Sequence, residues 1–331
     1  MLDSWLWVLA FHGLGLVLIG LIFHLFEQRK AMRGANRQRM PAWIERMLRA
    51  LFLLLLTGPT VVHMDTAVLP LPLLSPLVIA YGFSYCDLSE QNGGKENLVV
   101  RRWGLWQYVL DYFSLRLVKT VDLDPHCQYV FGIHPHSILP FGAIIGLGIN
   151  LESLFPAVSY RVLAATFVFY VPIYRDICLW GGIVDAARYS ALRVLRSGKS
   201  VALVPGGATE ALHTDPDRDV VVLRKRRGFI KLALEHGASL VPVFSFNECN
   251  TYSVLKADAP LIRSIAAKFQ RMTGLSLPLI TNIWPRKSNI TVVFGKPIPY
   301  LEAYITGLEE LYTENAATYN NPPTKPPLEI L

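Results

Sequence analysis

The sequence is poor in charge. Only 17% of its 331 residues are charged against 52% hydrophobic, and the mean hydropathy is positive, a balance unusual for a protein wholly in water. The four cysteines, Cys86, Cys127, Cys178 and Cys249, lie far apart and never form C-x-x-C. That excludes a zinc ribbon or a disulfide framework and leaves reduced thiols. No P-loop and no G-x-G-x-x-G after a strand speaks for nucleotide chemistry, and no G-x-S-x-G elbow speaks for a serine hydrolase. Zinc-finger spacing and RNA-binding signatures are missing too. The net charge of +7 is modest and largely gathered in two clusters, which suits an anionic membrane surface or a phosphorylated ligand better than nucleic acid. No internal repeat is visible, and the length allows one large or two small domains with a full core.

What is present first is apolar length. Ser4 to Phe26 carries no charge and meets the roughly 20 residues that span a bilayer, so a transmembrane helix is expected over 4–26. Residues 27–49 hold Arg29, Lys30, Arg33, Arg37, Arg39, Arg46 and Arg49 against Glu27 and Glu45, a bias that puts this loop in the cytoplasm. Ala50 to Tyr85 again lacks Lys and Arg, but His63-Met64-Asp65 and four prolines interrupt it. Two short arms read as a hairpin dipping into the membrane and returning, so 1–85 forms a membrane region with its N-terminus facing the lumen and both ends of the hairpin on the cytoplasmic side. Two buried core helices of a soluble protein are the alternative.

Beyond a polar linker at Asp87–Arg102 the pattern alternates. Strands are expected at 127–133, 160–165, 200–204, 239–244 and 290–294, and helices at Ile138–Ile149, Asp185–Leu195, Phe229–His236 and Leu261–Met272. This predicts an α/β domain over 86–320, a mainly parallel sheet flanked by helices, followed by an extended tail at 321–331.

The chemistry centres on Tyr129-Val130-Phe131-Gly132-Ile133-His134-Pro135-His136-Ser137. An apolar strand ends there in two histidines about a proline, which fixes the turn and the direction of both rings. A helix opening after Ser137 is expected to turn its first N–H groups toward the histidines. An imidazole beside such donors can take a proton from an alcohol while the donors hold an oxyanion. A turn with structural histidines, or a His-x-His metal pair, fits the same residues.

Three other constellations lie at strand ends, where this fold places sites. In Pro205-Gly206-Gly207-Ala208-Thr209-Glu210, paired glycines let backbone approach a ligand, and Glu210 can orient an imidazole or receive a hydroxyl. The alternative is an ordinary turn. Arg224-Lys225-Arg226-Arg227 precedes a helix, where cations oppose the dipole unless a bound anion uses both, so a phosphate or lipid headgroup is expected. Tyr174-Arg175-Asp176 is either a local ion pair or a substrate contact through Arg175.

With these residues in view, the chain resembles the type 2 diacylglycerol acyltransferase family, which also contains monoacylglycerol and wax-alcohol acyltransferases. Tyr129 to His136 is similar to its Y-x-F-G-x-H-P-H-G block, and Pro205 to Leu212 to its P-G-G-A-x-E-A-L block. Arg226 to Val243 is similar to its R-x-G-F-x-K-L-A-L-x-x-G-A-x-L-V-P-V run, and Gly295-Lys296-Pro297-Ile298 to its closing strand exit. The resemblance spans roughly 45–320. It implies a glycerolipid-acyltransferase-like fold and acyl transfer from acyl-CoA to diacylglycerol at the endoplasmic reticulum membrane and lipid droplets, with the catalytic part cytoplasmic. Monoacylglycerol or a fatty alcohol is the alternative acceptor, and a non-catalytic lipid-transfer or scaffold protein is the rival from another class. No metal or cofactor is implied, because the thioester is already activated. Expected partners are acyl-CoA, diacylglycerol and membrane lipids, not nucleic acid; a homo-oligomer is left open.

Two positions depart from the pattern. Ser137 replaces the usual glycine, as in plant members, which often carry glutamate in place of the first histidine. His136 is therefore the expected base, with His134 and Glu210 in support. Ser137, Gly206, Gly207, Arg175, Arg224, Arg226 and Arg227 are the expected substrate-binding residues. The family's F-G-E reads Phe246-Asn247-Glu248 here, which questions a backbone role for glycine at that turn.

Overall fold

A computed structural model of the chain describes residues 88–170, 173–254, 280–282, 284–298, 301–320 and 325–331. The expected span, basic loop, hairpin and helix at Leu261–Met272 lie outside these residues. Among the described residues no helix is long and apolar enough to cross a membrane.

Among the described residues seven strands make the main sheet: β1 (Arg116–Lys119), β2 (Tyr129–His134), β3 (Tyr160–Ala164), β4 (Ile183–Asp185), β5 (Ser200–Leu203), β7 (Ser239–Phe246) and β8 (Thr291–Phe294), in the order β1-β8-β7-β2-β5-β3-β4. Among the described residues only the β7–β8 pair of this sheet is antiparallel. A separate parallel pair joins β6 (Val220–Val221) to β9 (Glu329–Ile330). The expected mainly parallel α/β architecture is present. β2 and β7 run through the centre and are buried along almost their whole length, mostly apolar as strands covered on both faces are.

Helices cover both faces. On one lie α2 (Gly104–Tyr112), a π-helical turn at Gly142–Leu147 and α3 (Gly148–Leu154), packed with Phe131, Ile133 and Val243. On the other, α5 (Arg188–Arg196), α7 (Gly228–His236) and α8 (Leu301–Tyr319) pack with Val130, Leu240 and Phe244. The periodicity missed four elements of this frame among the described residues, α2, β1, β4 and α8. β1 and β4 are edge strands too short to show alternation, and α8 has weak amphipathicity because Tyr304, Leu308, Leu311 and Tyr312 bury one side while the rest is mixed. The expected helix at Asp185–Leu195 begins instead at Arg188, because Asp185 ends β4 and its carboxylate accepts the Ala187 N–H at 3.2 Å.

Two peripheral segments are more tightly held than composition suggests. The stretch expected as a linker carries α1 (Leu98–Arg101), and its acids are structural: Glu96 pairs with Arg101 and Arg161, while Glu90 pairs with Arg175. At the other end β9 docks on β6, and the Leu331 carbonyl accepts the N–H groups of Leu223 and Arg224 at 2.9 and 3.0 Å. Lys325 buries its ammonium against Asp219 at 3.3 Å, so the tail is extended yet anchored.

Candidate active site

Alternation along β2 decides what the first histidine meets. Tyr129, Phe131 and Ile133 enter one apolar layer, whereas Val130 enters the other, and Gly132 and His134 share its face. On that face His134 is fully buried, with Nδ1 3.3 Å from Glu210 Oε1 and Nε2 3.3 Å from the Tyr304 hydroxyl. Tyr304 also donates to the Gly132 carbonyl at 3.0 Å. A Cβ at Gly132 would collide with the phenol, so the motif glycine makes room for Tyr304.

His136 differs in every respect. It keeps partial exposure, and its Nδ1 lies 2.8 Å from the Ser137 carbonyl. A carbonyl only accepts, so Nδ1 carries the proton and the neutral ring presents its lone pair at Nε2. Among the described residues nothing pairs with Nε2. Burial pushes the pKa below the usual 6.5, opposed by the Ser137 carbonyl and by the Glu210 carboxylate.

Glu210 joins the two histidines. It sits on α6 (Ala208–Ala211) after β5 and is buried. Oε2 accepts the His136 backbone N–H at 2.8 Å, and Oε1 accepts the Val222 N–H at 3.0 Å beside His134 Nδ1. The space expected for a ligand at Gly206 is filled by this side chain: a Cβ there would collide with the Glu210 carboxyl group. Gly207 has φ +53°, a backbone that favours glycine.

The helix N-terminus does not serve as expected. Ile138 to Pro140 is a bend, the Gly142 N–H goes to the Glu248 carboxylate with N 3.0 Å from Oε2, and the Phe141 N–H is shared between that carboxylate and the Leu139 carbonyl at 3.0 Å. They are spent within the protein rather than turned to the histidines. Glu248 also accepts the Ser245 hydroxyl, and its burial pushes the carboxyl pKa from 4.5 up to about 7.

The remaining expected residues divide. Arg226 donates to the Thr209 hydroxyl at 2.6 Å, which ties the exposed arginine cluster to the helix of Glu210. Arg224 donates to the Ile330 carbonyl at 3.1 Å, and Arg227 stands exposed as N-cap of α7. Arg175 is not in this group. It is fully buried near the opposite sheet edge, on Glu90 at 3.0 Å and Asp176 at 3.5 Å, which is the ion-pair alternative. Ser137 is buried too, with φ +52° and its hydroxyl 3.3 Å from the Glu248 carbonyl. Its left-handed backbone gives a physical reason for the family's glycine. Asn247 likewise has φ +63°, so the turn keeps its left-handed form with asparagine, which tolerates it. Tyr304, Val222 and Ser245 carried no signal in the sequence. Among the described residues no three His, Cys, Asp or Glu side chains are grouped to hold a metal.

A family model described as diacylglycerol acyltransferase matches residues 61–310. The chain belongs to the diacylglycerol acyltransferase family. Diacylglycerol O-acyltransferase 2 of Dictyostelium discoideum is 31% identical over 303 residues, covering 82% of this chain and 91% of the relative. Diacylglycerol O-acyltransferase 2 of Danio rerio is 36% identical over 239 residues, 66% of each chain. The family also includes 2-acylglycerol O-acyltransferase 1 of Bos taurus, 32% identical over 264 residues, 71% of this chain and 79% of that one. Both the glycine-paired turn and the histidine pair of this acyltransferase fall within the matched range.

Proposed function

We propose that this acyltransferase moves an acyl group from acyl-CoA to the free hydroxyl of diacylglycerol, with His136 as general base. The observation that carries this reading is the Nδ1 bond of His136 to the Ser137 carbonyl, which leaves a neutral Nε2 without a partner among the described residues, at a partly exposed position. Nε2 takes the hydroxyl proton as the alcohol oxygen attacks the thioester carbonyl. The tetrahedral intermediate then expels the CoA thiolate, which takes that proton back from His136. A positioned base contributes roughly 10²–10⁴-fold. His134, buried with both ring nitrogens engaged, holds the site rather than moving protons, and Glu210 fixes the His136 backbone.

Arg224, Arg226 and Arg227 bind the phosphates of CoA in this reading. Their exposure and the Arg226–Thr209 bond beside Glu210 support it. The acceptor enters from the bilayer past residues 50–85, and the reaction takes place on the cytoplasmic side of the endoplasmic reticulum and at lipid droplets. Monoacylglycerol is the second acceptor reading, favoured by the relative named as a 2-acylglycerol acyltransferase.

Purified full-length protein with labelled acyl-CoA and a panel of acceptors tests the proposal. Triacylglycerol should form, and His136→Ala should abolish it while the protein still accumulates in membranes. Activity surviving His136→Ala but lost in His134→Glu would reverse the two histidine roles. No product with any acceptor would leave a lipid-transfer or scaffold protein.

A further inference from the structure

Glu248 is a buried ionisable group that the chemistry above does not use. It follows the end of β7, more than 100 residues from the histidines, yet it grips their loop twice. Its carbonyl faces the Ser137 hydroxyl at 3.3 Å, and its carboxylate takes Gly142 N–H at 3.0 and 3.2 Å, together with Phe141 N–H. Ser245, on the same strand, supplies a hydroxyl to the carboxylate. Gly142 has no room for a side chain here, since a Cβ would collide with the Ser245 hydroxyl and press within 2.7 Å of Glu248 Oε2. Between the two grips run Ile138, Leu139 and Pro140, with no secondary structure of their own.

The consequence for His136 follows from its own partners. Its backbone N–H is fixed by Glu210, but its ring is oriented by the carbonyl of Ser137. Ser137 in turn has a left-handed backbone at φ +52° that local preference does not hold in place. We infer that Glu248 is a positioning residue of the active site, which clamps the Ser137–Gly142 loop and so sets the direction of the His136 ring. Two buried glutamates thus hold the chain around His136, Glu210 at the His136 N–H and Glu248 at Ser137 and Gly142. The inference rests on His136 as the base, and it assigns Glu248 no contact with substrate.

Clamping depends on reach. Glu248→Gln keeps the length, so its amide oxygen still accepts Gly142 N–H and its amide group still faces the Ser245 hydroxyl. Glu248→Asp keeps the charge but is one methylene short of the loop. The test measures kcat and the acyl-CoA KM of both variants and of His136→Ala in purified full-length protein. The Gln variant should retain kcat to within about 3-fold, and the Asp variant should lose roughly 10- to 100-fold with KM unchanged, the scale of a misplaced catalytic group. Asp more active than Gln would mean that the charge itself matters, and wild-type kcat in both would mean no role; either overturns the inference. Failure of both variants to accumulate would make Glu248 a folding residue and overturn it equally. A fully active His136→Ala would instead bring down the assignment of the base.

Discussion

Glu210 lies 74 residues beyond His136, yet its Oε2 accepts the His136 backbone N–H at 2.8 Å. Its other oxygen accepts the Val222 N–H, so each carboxylate oxygen meets a backbone donor that cannot turn away. Glu210→Gln therefore puts an amide N–H against one of these donors whichever way it flips. A buried donor left unpaired costs about 1–3 kcal/mol, so the variant should unfold at lower temperature and lose most of its activity. Thermal unfolding and turnover in detergent check this, and a fully stable, active Gln variant would contradict the geometry.

Gly206→Ala should mimic that damage without touching an ionisable group. The added Cβ overlaps the Glu210 carboxyl, which cannot move aside without giving up its bonds to the His136 and Val222 N–H groups. Gly207→Ala should cost about 1–3 kcal/mol through its backbone at φ +53° and ψ −146°, with less effect on turnover, since a Cβ there meets no side chain. The comparison of kcat between the two separates crowding of the carboxylate from backbone strain.

The pH dependence follows from His136. Burial lowers its pKa below 6.5, so the base is neutral at pH 7, and kcat/KM should fall only as pH drops through that lowered value. Stability shares the sign: between the folded pKa and 6.5 the unfolded chain binds more protons, so raising pH across this window stabilises the fold through His136. Glu248 acts oppositely. Its carboxyl titrates at about 7 instead of 4.5, so the folded chain holds the extra proton and stability falls as pH rises across that interval. An acid limb centred above 6.5 in a kcat/KM profile would contradict the role given to His136.

The arginine cluster should report on one substrate only. Arg226→Gln with Arg227→Gln should raise the acyl-CoA KM by about 10- to 100-fold, the loss of two charge-assisted contacts, with little change toward diacylglycerol. Added salt should weaken acyl-CoA use more in the wild type than in the double variant. An unchanged KM with weaker attachment to anionic vesicles would turn the cluster into a headgroup anchor.

The sequence by itself determined the parts whose signal is local. A strand covered on both faces is mostly apolar, so β2, β5 and β7 were legible, and α7 showed its helical spacing. The turn at Pro135 and the glycines at 206 and 207 likewise declare themselves, because few residues adopt their backbones. What those glycines were for was not legible: the pair suggested a close approach of backbone to a ligand, and only the fold shows Glu210 where a side chain at Gly206 would stand. Tyr304 stands 170 residues from the histidine it touches, and Val222 acts through its backbone alone, so neither leaves a pattern in one chain. Arg175 could be a substrate contact or an ion pair until tertiary packing buried it on Glu90. The two histidines show the division most clearly. Their adjacency is written in the sequence, but strand alternation against α8 buries His134 under Tyr304, while the chain after Pro135 leaves His136 partly open to solvent. Local preference fixes backbone shape one residue at a time, whereas access, pairing and protonation depend on which distant side chains the sheet order brings alongside.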